Sequence, residues 1–142
     1  NNYSKEDIAQ INSLGTKLNP NFEKLFHIEK LPESENILTI KEKNKLIGFI
    51  HYSRIYECLE IQNIIVDKMW KNKGYASKLL NALITKNKDA QKIILKVNEN
   101  NIEAINFYQK HKFIEINRRP KYYKTGDAII MEKVLWKKMY IF

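Results

Sequence analysis

The pattern of apolar and polar positions predicts helices in the first part of the chain. Over residues 4–18, Ile8, Ile11 and Leu14 recur at the helical period, and Ser4 is a good N-cap. The break after this helix coincides with an Asn-Pro-Asn sequence at residues 19–21. A second short helix is then predicted, with an apolar face of aromatic and aliphatic residues, from Phe22 to near Lys30.

Shorter, β-branched segments predict a sheet in the rest of the chain. Asn44 suits positive φ in a hairpin turn, and Gly126 is predicted to supply a later turn. One helix follows the third strand and ends near Lys88, and another spans residues 101–111. The predicted strands are residues 36–41, 46–54, 59–67, 92–97, 113–117 and 128–134. Antiparallel hairpins followed by strand–helix–strand indicate an α/β protein whose mixed sheet has a parallel pair.

Length and composition narrow the class of protein. A chain of 142 residues is long enough for one domain with a sizeable core. The formal net charge of +9 is compatible with RNA or membrane surfaces, but the lysines are scattered, so we expect neither a nucleic acid nor a membrane as partner. No secretory signal is visible, and the single cysteine, Cys58, excludes an internal disulfide. A cytoplasmic location is expected.

The segment at residues 64–77 carries the clearest chemical signal. A β-branched strand end leads through residues 71–76 into a helix, where unpaired N–H groups and the helix dipole favour an anion. Gly74 allows a ligand to approach the backbone, and Lys71 and Lys73 add positive charge. This pattern predicts a phosphate or pyrophosphate ligand. An ordinary strand–helix turn is the alternative, because neither a Gly-Lys-Ser/Thr ending nor three spaced glycines are present.

Two blocks of sequence resemble the GNAT superfamily of N-acetyltransferases. Lys71-x-x-Gly74-x-Ala76 is similar to the acetyl-CoA loop of that family, Arg/Gln-x-x-Gly-x-Gly/Ala. Residues 94–113 resemble a second pattern: Leu-x-Val, then Asn-x-x-Ala-x-x-x-Tyr, then Gly-Phe. Residues 122–131 look most like those of the bacterial ribosomal-protein alanine N-acetyltransferases. The resemblance covers roughly residues 36–134.

The resemblance implies one acetyltransferase domain, residues 1–142, with the GNAT fold. That fold is a mixed central sheet with splayed parallel strands, here residues 59–67 and 92–97, flanked by helices. Acetyl-CoA is the implied co-substrate, and no metal is expected. The implied cofactor-binding residues are Ile64, Ile65, Val66, Lys71, Asn72, Lys73, Gly74, Tyr75, Ala76, Ser77, Asn101 and Tyr108.

The resemblance also implies catalytic roles. Tyr108 would protonate the coenzyme A sulfur, the alternative being a core aromatic on its helix. Lys96 stands where the family has a glutamate or histidine base, and it serves as a base only if burial lowers its pKa by several units. Glu60, on the neighbouring strand, is the better candidate, unless it is an exposed strand carboxylate. His51 and His111 are weaker candidates, and for His111 we expect only a favourable interaction with a helix dipole.

The acceptor is a primary amine, with the N-terminal amino group of a (ribosomal) protein as the first expectation. A small amine such as a polyamine or an antibiotic is one alternative, and a basic ribosome- or RNA-binding module that has lost catalysis is another. The acceptor groove is expected to include Phe22, Arg119, Tyr122 and Tyr123. Lys112, where the family has glycine, is expected to cost stability if its φ is positive.

Overall fold

The computed structural model describes residues 3–135. The apolar tail at residues 136–142, for which the sequence suggests packing on the core or contact with another chain, lies outside them. Within residues 3–135, no helix is long and apolar enough to cross a membrane.

The secondary structure confirms the α/β class. Six strands form one mixed sheet in the order β1-β2-β3-β4-β6-β5. Single 3-10 turns occur at Ile28–Lys30 and Lys68–Trp70. The helices are α1 (Lys5–Leu18), α2 (Phe22–Leu25), α3 (Tyr75–Lys86) and α4 (Ile102–Lys110). The strands are β1 (Glu35–Glu42), β2 (Lys45–Ile55), β3 (Cys58–Val66), β4 (Lys92–Asn98), β5 (Ile114–Tyr123) and β6 (Gly126–Val134).

The chain folds as two compact units. The first contains the chain up to Ser53 together with Asn63–Lys88, and the second contains Arg54–Gln62 and the described chain from Asp89 onward. Strand β3 therefore contributes its first part to the second unit and its last part to the first. The predicted single domain stays a prediction.

The first unit has a core between α1, α2 and its strands. Ser4 caps α1 as predicted, because its hydroxyl oxygen accepts the Asp7 N–H at 3.0 Å. Gly15 on α1 is needed for close approach, since a Cβ there would lie 2.5 Å from the Phe22 ring. Phe22 is fully buried and packs edge-on against Phe49, with ring centroids 5.8 Å apart. The hydrophobic contacts of α1 with this ring fix the start of the chain on its sheet.

The hairpin between β1 and β2 forms as predicted. Asn44 has φ 67°, in the left-handed region that asparagine tolerates better than most residues. Lys43 before it also has positive φ, 49°. The turn thus needs two left-handed residues, as in a type I′ hairpin, where the sequence predicted one.

The second unit is built on the parallel pair β3 and β4. Their pairing covers Cys58–Ile61 of β3 and Lys92–Leu95 of β4, although β3 continues to Val66 and β4 to Asn98. The ladder is therefore confined to the first part of each strand, as the predicted splay requires. Strand β6 pairs antiparallel with β4 over the whole length of β4, and β5 pairs antiparallel with β6.

Two predictions about β5 and β6 are wrong. Residues 118–123, predicted as a connection, belong to strand β5, which reaches Tyr123 through an irregular stretch with Lys121 at φ 54°. Gly126 was predicted to supply the turn, but the turn is formed by residues 124 and 125. Gly126 opens β6, where a Cβ would lie 2.8 Å from Asn100 Nδ2, so close approach explains the glycine. Lys112 does have positive φ, 71°, as its replacement of glycine suggested.

Candidate active site

The loop between β3 and α3, in the first unit, has the geometry of an anion site. Asn72 and Gly74 both have positive φ, 61° and 84°, and α3 begins immediately after Gly74. A Cβ on Gly74 would meet no atom within 4 Å, so the backbone is open to a ligand. Gly74 gives α3 no side-chain cap, and the first turn contains no acidic residue. The N-terminal N–H groups of α3 therefore face no carboxylate from that turn.

Aromatic rings hold two lysines beside this loop. The ammonium of Lys73 lies 5.3 Å from the centre of the Trp70 ring, and that of Lys78 lies 5.0 Å from the Tyr75 ring. Tyr75 in turn donates a hydrogen bond of 2.9 Å to Glu42, and this bond is the main reason that its pKa is raised. These cation–π contacts keep positive charge at the rim of the loop.

Helix α4, in the second unit, carries the other two predicted cofactor residues. Asn101 is the N-cap of α4, and its side-chain oxygen accepts the Ala104 N–H at 3.2 Å. Tyr108 is only 6% exposed and packs against Phe107 and Phe113, with ring centroids 5.4 and 5.3 Å away. Burial, with a smaller contribution from Tyr123, raises the pKa of Tyr108 well above its usual range. The phenol is therefore a neutral hydrogen-bond donor at physiological pH.

The two candidate bases form an ion pair. Lys96 Nζ donates to Glu60 Oε2 at 3.2 Å, and their side chains are 29% and 30% exposed. Glu60 lies opposite Ile94 in the parallel ladder, so Lys96, two residues further along β4, projects on the same face. The pair retains access to solvent and to any acceptor that approaches this face.

Tyr122 lies beside this ion pair. Its ring is 50% exposed, and Lys96 Nζ and Arg119 Cζ each lie 6.0 Å from the ring centre. Tyr123 packs edge-on against Tyr122, with centroids 4.9 Å apart, and burial raises its pKa. The structure thus brings together three of the four predicted acceptor residues with both candidate bases.

The prediction that Phe22, the fourth acceptor residue, lines the groove is wrong. The Phe22 side chain is 0% exposed because it fills the space under Gly15 of α1, so it presents no surface to a substrate. Apolar spacing alone could not distinguish a groove residue from a core residue here.

A hydrogen-bonded network that the sequence did not predict fixes the β5–β6 hairpin. The Asp127 carboxylate accepts the Lys121 N–H at 2.9 Å, and the Asp127 N–H donates to Glu99 at 2.6 Å. Arg118 contacts Glu115, Glu99 and Asp127 at 3.1, 3.5 and 4.0 Å. The Lys121 N–H that bonds to Asp127 belongs to a left-handed residue, and the next residue, Tyr122, lies beside Lys96. The spacing of these charged residues along the sequence does not reveal the contacts.

The two histidines that were considered as candidate bases, His51 and His111, lie in different surroundings. His51 is fully buried in the first unit, with Nε2 donating to Glu35 Oε1 at 2.6 Å and Nδ1 3.4 Å from the Asn63 amide. Burial lowers the pKa of His51 despite the opposing pull of Glu35. Burial also lowers the pKa of His111, helped by Lys110 and Lys133, which weakens its expected role as a cation at the end of α4.

No group of three or more His, Cys, Asp or Glu side chains within residues 3–135 is arranged to hold a metal ion. Cys58 is half-buried, and burial raises its pKa. A reactive thiolate is disfavoured by that shift.

Comparison with solved structures identifies the fold. The ribosomal-protein-S18-alanine N-acetyltransferase from Escherichia coli superposes with a TM-score of 0.83 at 22% identity, covering 99% of this chain and 97% of that one. A GNAT family acetyltransferase from Elizabethkingia anophelis with acetyl-CoA bound gives 0.75 at 22% identity, with coverages of 87% and 90%. An aminoglycoside 6′-N-acetyltransferase complexed with coenzyme A gives 0.80 at 14% identity, with coverages of 93% and 92%.

Sequence comparison gives the family. A search of curated proteins found no match. The model of the Acetyltransferase (GNAT) family matches residues 6–113, which is more than half of the 142 residues and runs through both compact units. The chain therefore belongs to the Acetyltransferase (GNAT) family and is an acetyl-CoA-dependent acetyltransferase.

Proposed function

We propose that this enzyme acetylates the N-terminal amino group of a protein, a ribosomal protein being the first candidate, and that the chain is a single acetyltransferase domain. The observation that carries the proposal is the exposed Tyr122 beside the Glu60–Lys96 pair, because it combines a hydrogen-bonding aromatic surface with a carboxylate. The likeness to the ribosomal-protein-S18-alanine N-acetyltransferase supports it. A cytoplasmic location is part of the proposal.

Acetyl-CoA would bind chiefly through backbone groups of the first unit. The pyrophosphate is assigned to the N–H groups of residues 71–77, which lie at the start of α3. The pantetheine is assigned to the backbone of residues 64–66, in the manner of an added strand. Asn101 already serves as a helix cap, and a contact with the cofactor would be a second role for it.

Glu60 would act as the general base. A carboxylate that is 30% exposed can reach an incoming ammonium group, whereas Lys96 donates a hydrogen bond of 3.2 Å to that carboxylate. Proton transfer from the amine to Glu60 leaves a neutral nucleophile that attacks the thioester carbonyl carbon. Before an acceptor binds, Lys96 is the hydrogen-bond partner of this base.

Tyr108 would donate to the sulfur of the departing coenzyme A. Because burial raises its pKa, the phenol keeps its proton through neutral pH and can stabilise negative charge that develops on the sulfur. The contacts with Phe107 and Phe113 hold the Tyr108 ring in place. The interaction becomes strong only as the thiolate forms, so it lowers the barrier more than it favours binding.

Small amines remain the second candidate, since the aminoglycoside enzyme shares the fold. Aminoglycosides and polyamines are polycations, and Lys96 and Arg119 both border the Tyr122 ring. A polycation that lies on the Tyr122 ring would be repelled by these two positive groups, each 6.0 Å from the ring centre. The third candidate, a basic ribosome- or RNA-binding module without catalysis, is supported only by the net charge of +9.

A screen of acceptors tests the proposed function directly. Peptides with free N-termini and a panel of aminoglycosides and polyamines are incubated with the enzyme and acetyl-CoA, and the release of free coenzyme A is measured. We expect turnover with one or more peptides and about tenfold lower kcat/KM with any polycation, which corresponds to one unfavourable charge contact. Turnover of a polyamine or aminoglycoside without any peptide would replace this proposal with the second candidate. Salt-sensitive RNA binding without transfer would favour the third.

Gly74 tests the assignment of the pyrophosphate loop. At a hundredfold excess over Kd, acetyl-CoA stabilises the native protein by about 2.7 kcal/mol, which raises Tm by roughly 5–10 °C. Gly74→Gln and Gly74→Glu introduce the same strain at φ 84°, but only the glutamate adds negative charge beside the pyrophosphate. Thermal unfolding with and without acetyl-CoA should show a reduced shift for the glutamine variant and almost none for the glutamate variant. Equal shifts for the two variants contradict the assignment.

Tyr108→Phe tests the proton donor. The variant keeps the buried ring and loses only the hydroxyl, so we expect an intact fold, unchanged acetyl-CoA affinity and a kcat that is lower by about 10²-fold or more. Affinity is measured by thermal shift and kcat by steady-state release of coenzyme A. Tyr52→Phe, at another buried tyrosine, is the matched control and should leave kcat unchanged. A Tyr108→Phe kcat within twofold of the wild-type value contradicts the role.

A further inference from the structure

We propose that the acceptor site selects amines that carry a carboxylate close to the reacting nitrogen, such as a peptide whose second residue is Asp or Glu. The inference rests on the proposed function and names the substrate class for the same site. It is drawn from the charges that surround Tyr122, on β4 and β5 of the second unit.

Two cations border the exposed Tyr122 ring. Lys96 Nζ and Arg119 Cζ each lie 6.0 Å from the ring centre, and the ring itself is 50% exposed. An acceptor that lies on Tyr122 therefore lies within reach of both positive groups. Cations held against an aromatic face are preorganised, so less side-chain entropy is lost when an anion binds.

The neighbouring Arg118 does not share this role. Its guanidinium already contacts Glu115 at 3.1 Å and Glu99 at 3.5 Å, with Asp127 at 4.0 Å. Three carboxylates around one arginine leave a local excess of negative charge there. The cations that lie against the Tyr122 ring itself are Lys96 and Arg119.

The Glu60–Lys96 pair gives the reason that a carboxylate would be selected. An incoming ammonium competes with Lys96 for the Glu60 carboxylate, whose Oε2 lies 3.2 Å from Lys96 Nζ. When Glu60 turns to the amine, Lys96 loses its anionic partner. A carboxylate on the acceptor replaces that partner, so one ion pair is exchanged for two. An acceptor with a neutral or cationic group leaves Lys96 without compensation.

Matched peptides test the inference. Three peptides with N-terminal Ala differ only at the second residue, which is Glu, Gln or Lys, and kcat/KM is measured for each. For a partly exposed charge contact we expect the Glu peptide to exceed the Gln peptide by about fivefold, with the Lys peptide lowest. The preference should shrink as ionic strength rises. Equal kcat/KM values for the three peptides would overturn the inference.

Variants identify the cation responsible. The quantity compared is the ratio of kcat/KM for the Glu peptide to kcat/KM for the Gln peptide. In the Lys96→Gln variant this ratio should fall below about twofold, and in the Arg119→Gln variant it should fall in part. Lys92→Gln removes the same charge from an exposed position four residues earlier on β4 and should keep the full ratio. The ratio is internal to each variant, so a change in overall activity does not affect it. A ratio that survives both Lys96→Gln and Arg119→Gln also overturns the inference.

A second pair of acceptors separates this inference from the proposed function. If no peptide is acetylated, 4-aminobutanoate is compared with 1,4-diaminobutane, which differs in carrying an ammonium group where the first has a carboxylate. A preference for 4-aminobutanoate that is lost in Lys96→Gln supports carboxylate selection while removing the protein N-terminus as acceptor. A preference for 1,4-diaminobutane overturns both the carboxylate selection and the proposed protein acceptor.

Discussion

The parallel pairing of β3 with β4 is the constraint on which the proposed chemistry depends. The ladder covers only Cys58–Ile61 and Lys92–Leu95, but its register sets Glu60 opposite Ile94. Side chains alternate along a strand, so Glu60 and Lys96 share a face and form an ion pair. A shift of one residue would move Lys96 to the opposite face and separate the pair. Register thus decides which carboxylate is available as a base.

The β5–β6 hairpin carries Tyr122, the aromatic part of the proposed acceptor surface, and its conformation depends on polar contacts of the second unit. Asp127 accepts the Lys121 N–H, and Glu99 accepts the Asp127 N–H. Asn98 and Asn100 donate to Thr125 in the turn, each at 2.6 Å. The β4–α4 connection is therefore bonded to the hairpin that carries Tyr122. The same connection leads into α4, the helix of Tyr108, so the two tyrosines with proposed roles are supported by one set of hydrogen bonds.

The sequence correctly predicted features that have a local cause, but it did not predict contacts between segments that are far apart in the chain. The N-cap Ser4 and the hairpin turn at Asn44 each have a cause within a few residues, and the structure shows both as predicted. Phe22 was misplaced because apolar spacing does not say which surface covers a residue, and Gly15 is the residue that lets its ring become buried. The length of β5 was missed because Pro120 and positive φ at Lys121 interrupt its pattern, while pairing with β6 maintains the strand. The bond between Glu60 and Lys96 joins residues 36 positions apart, and spacing along one strand contains no information about it.

The most direct test of the account is the pH dependence of kcat/KM for an acetylated acceptor in the wild-type enzyme and in Glu60→Gln. If Glu60 removes the amine proton, the variant should lose most activity at neutral pH and recover it as the pH approaches the pKa of the free amine, where the nucleophile is neutral without assistance. Glu57→Gln, at an exposed carboxylate in the turn before β3, should follow the wild-type profile. A Glu60→Gln profile that coincides with the wild-type profile would contradict the assignment of the base and, with it, the role given to the ion pair.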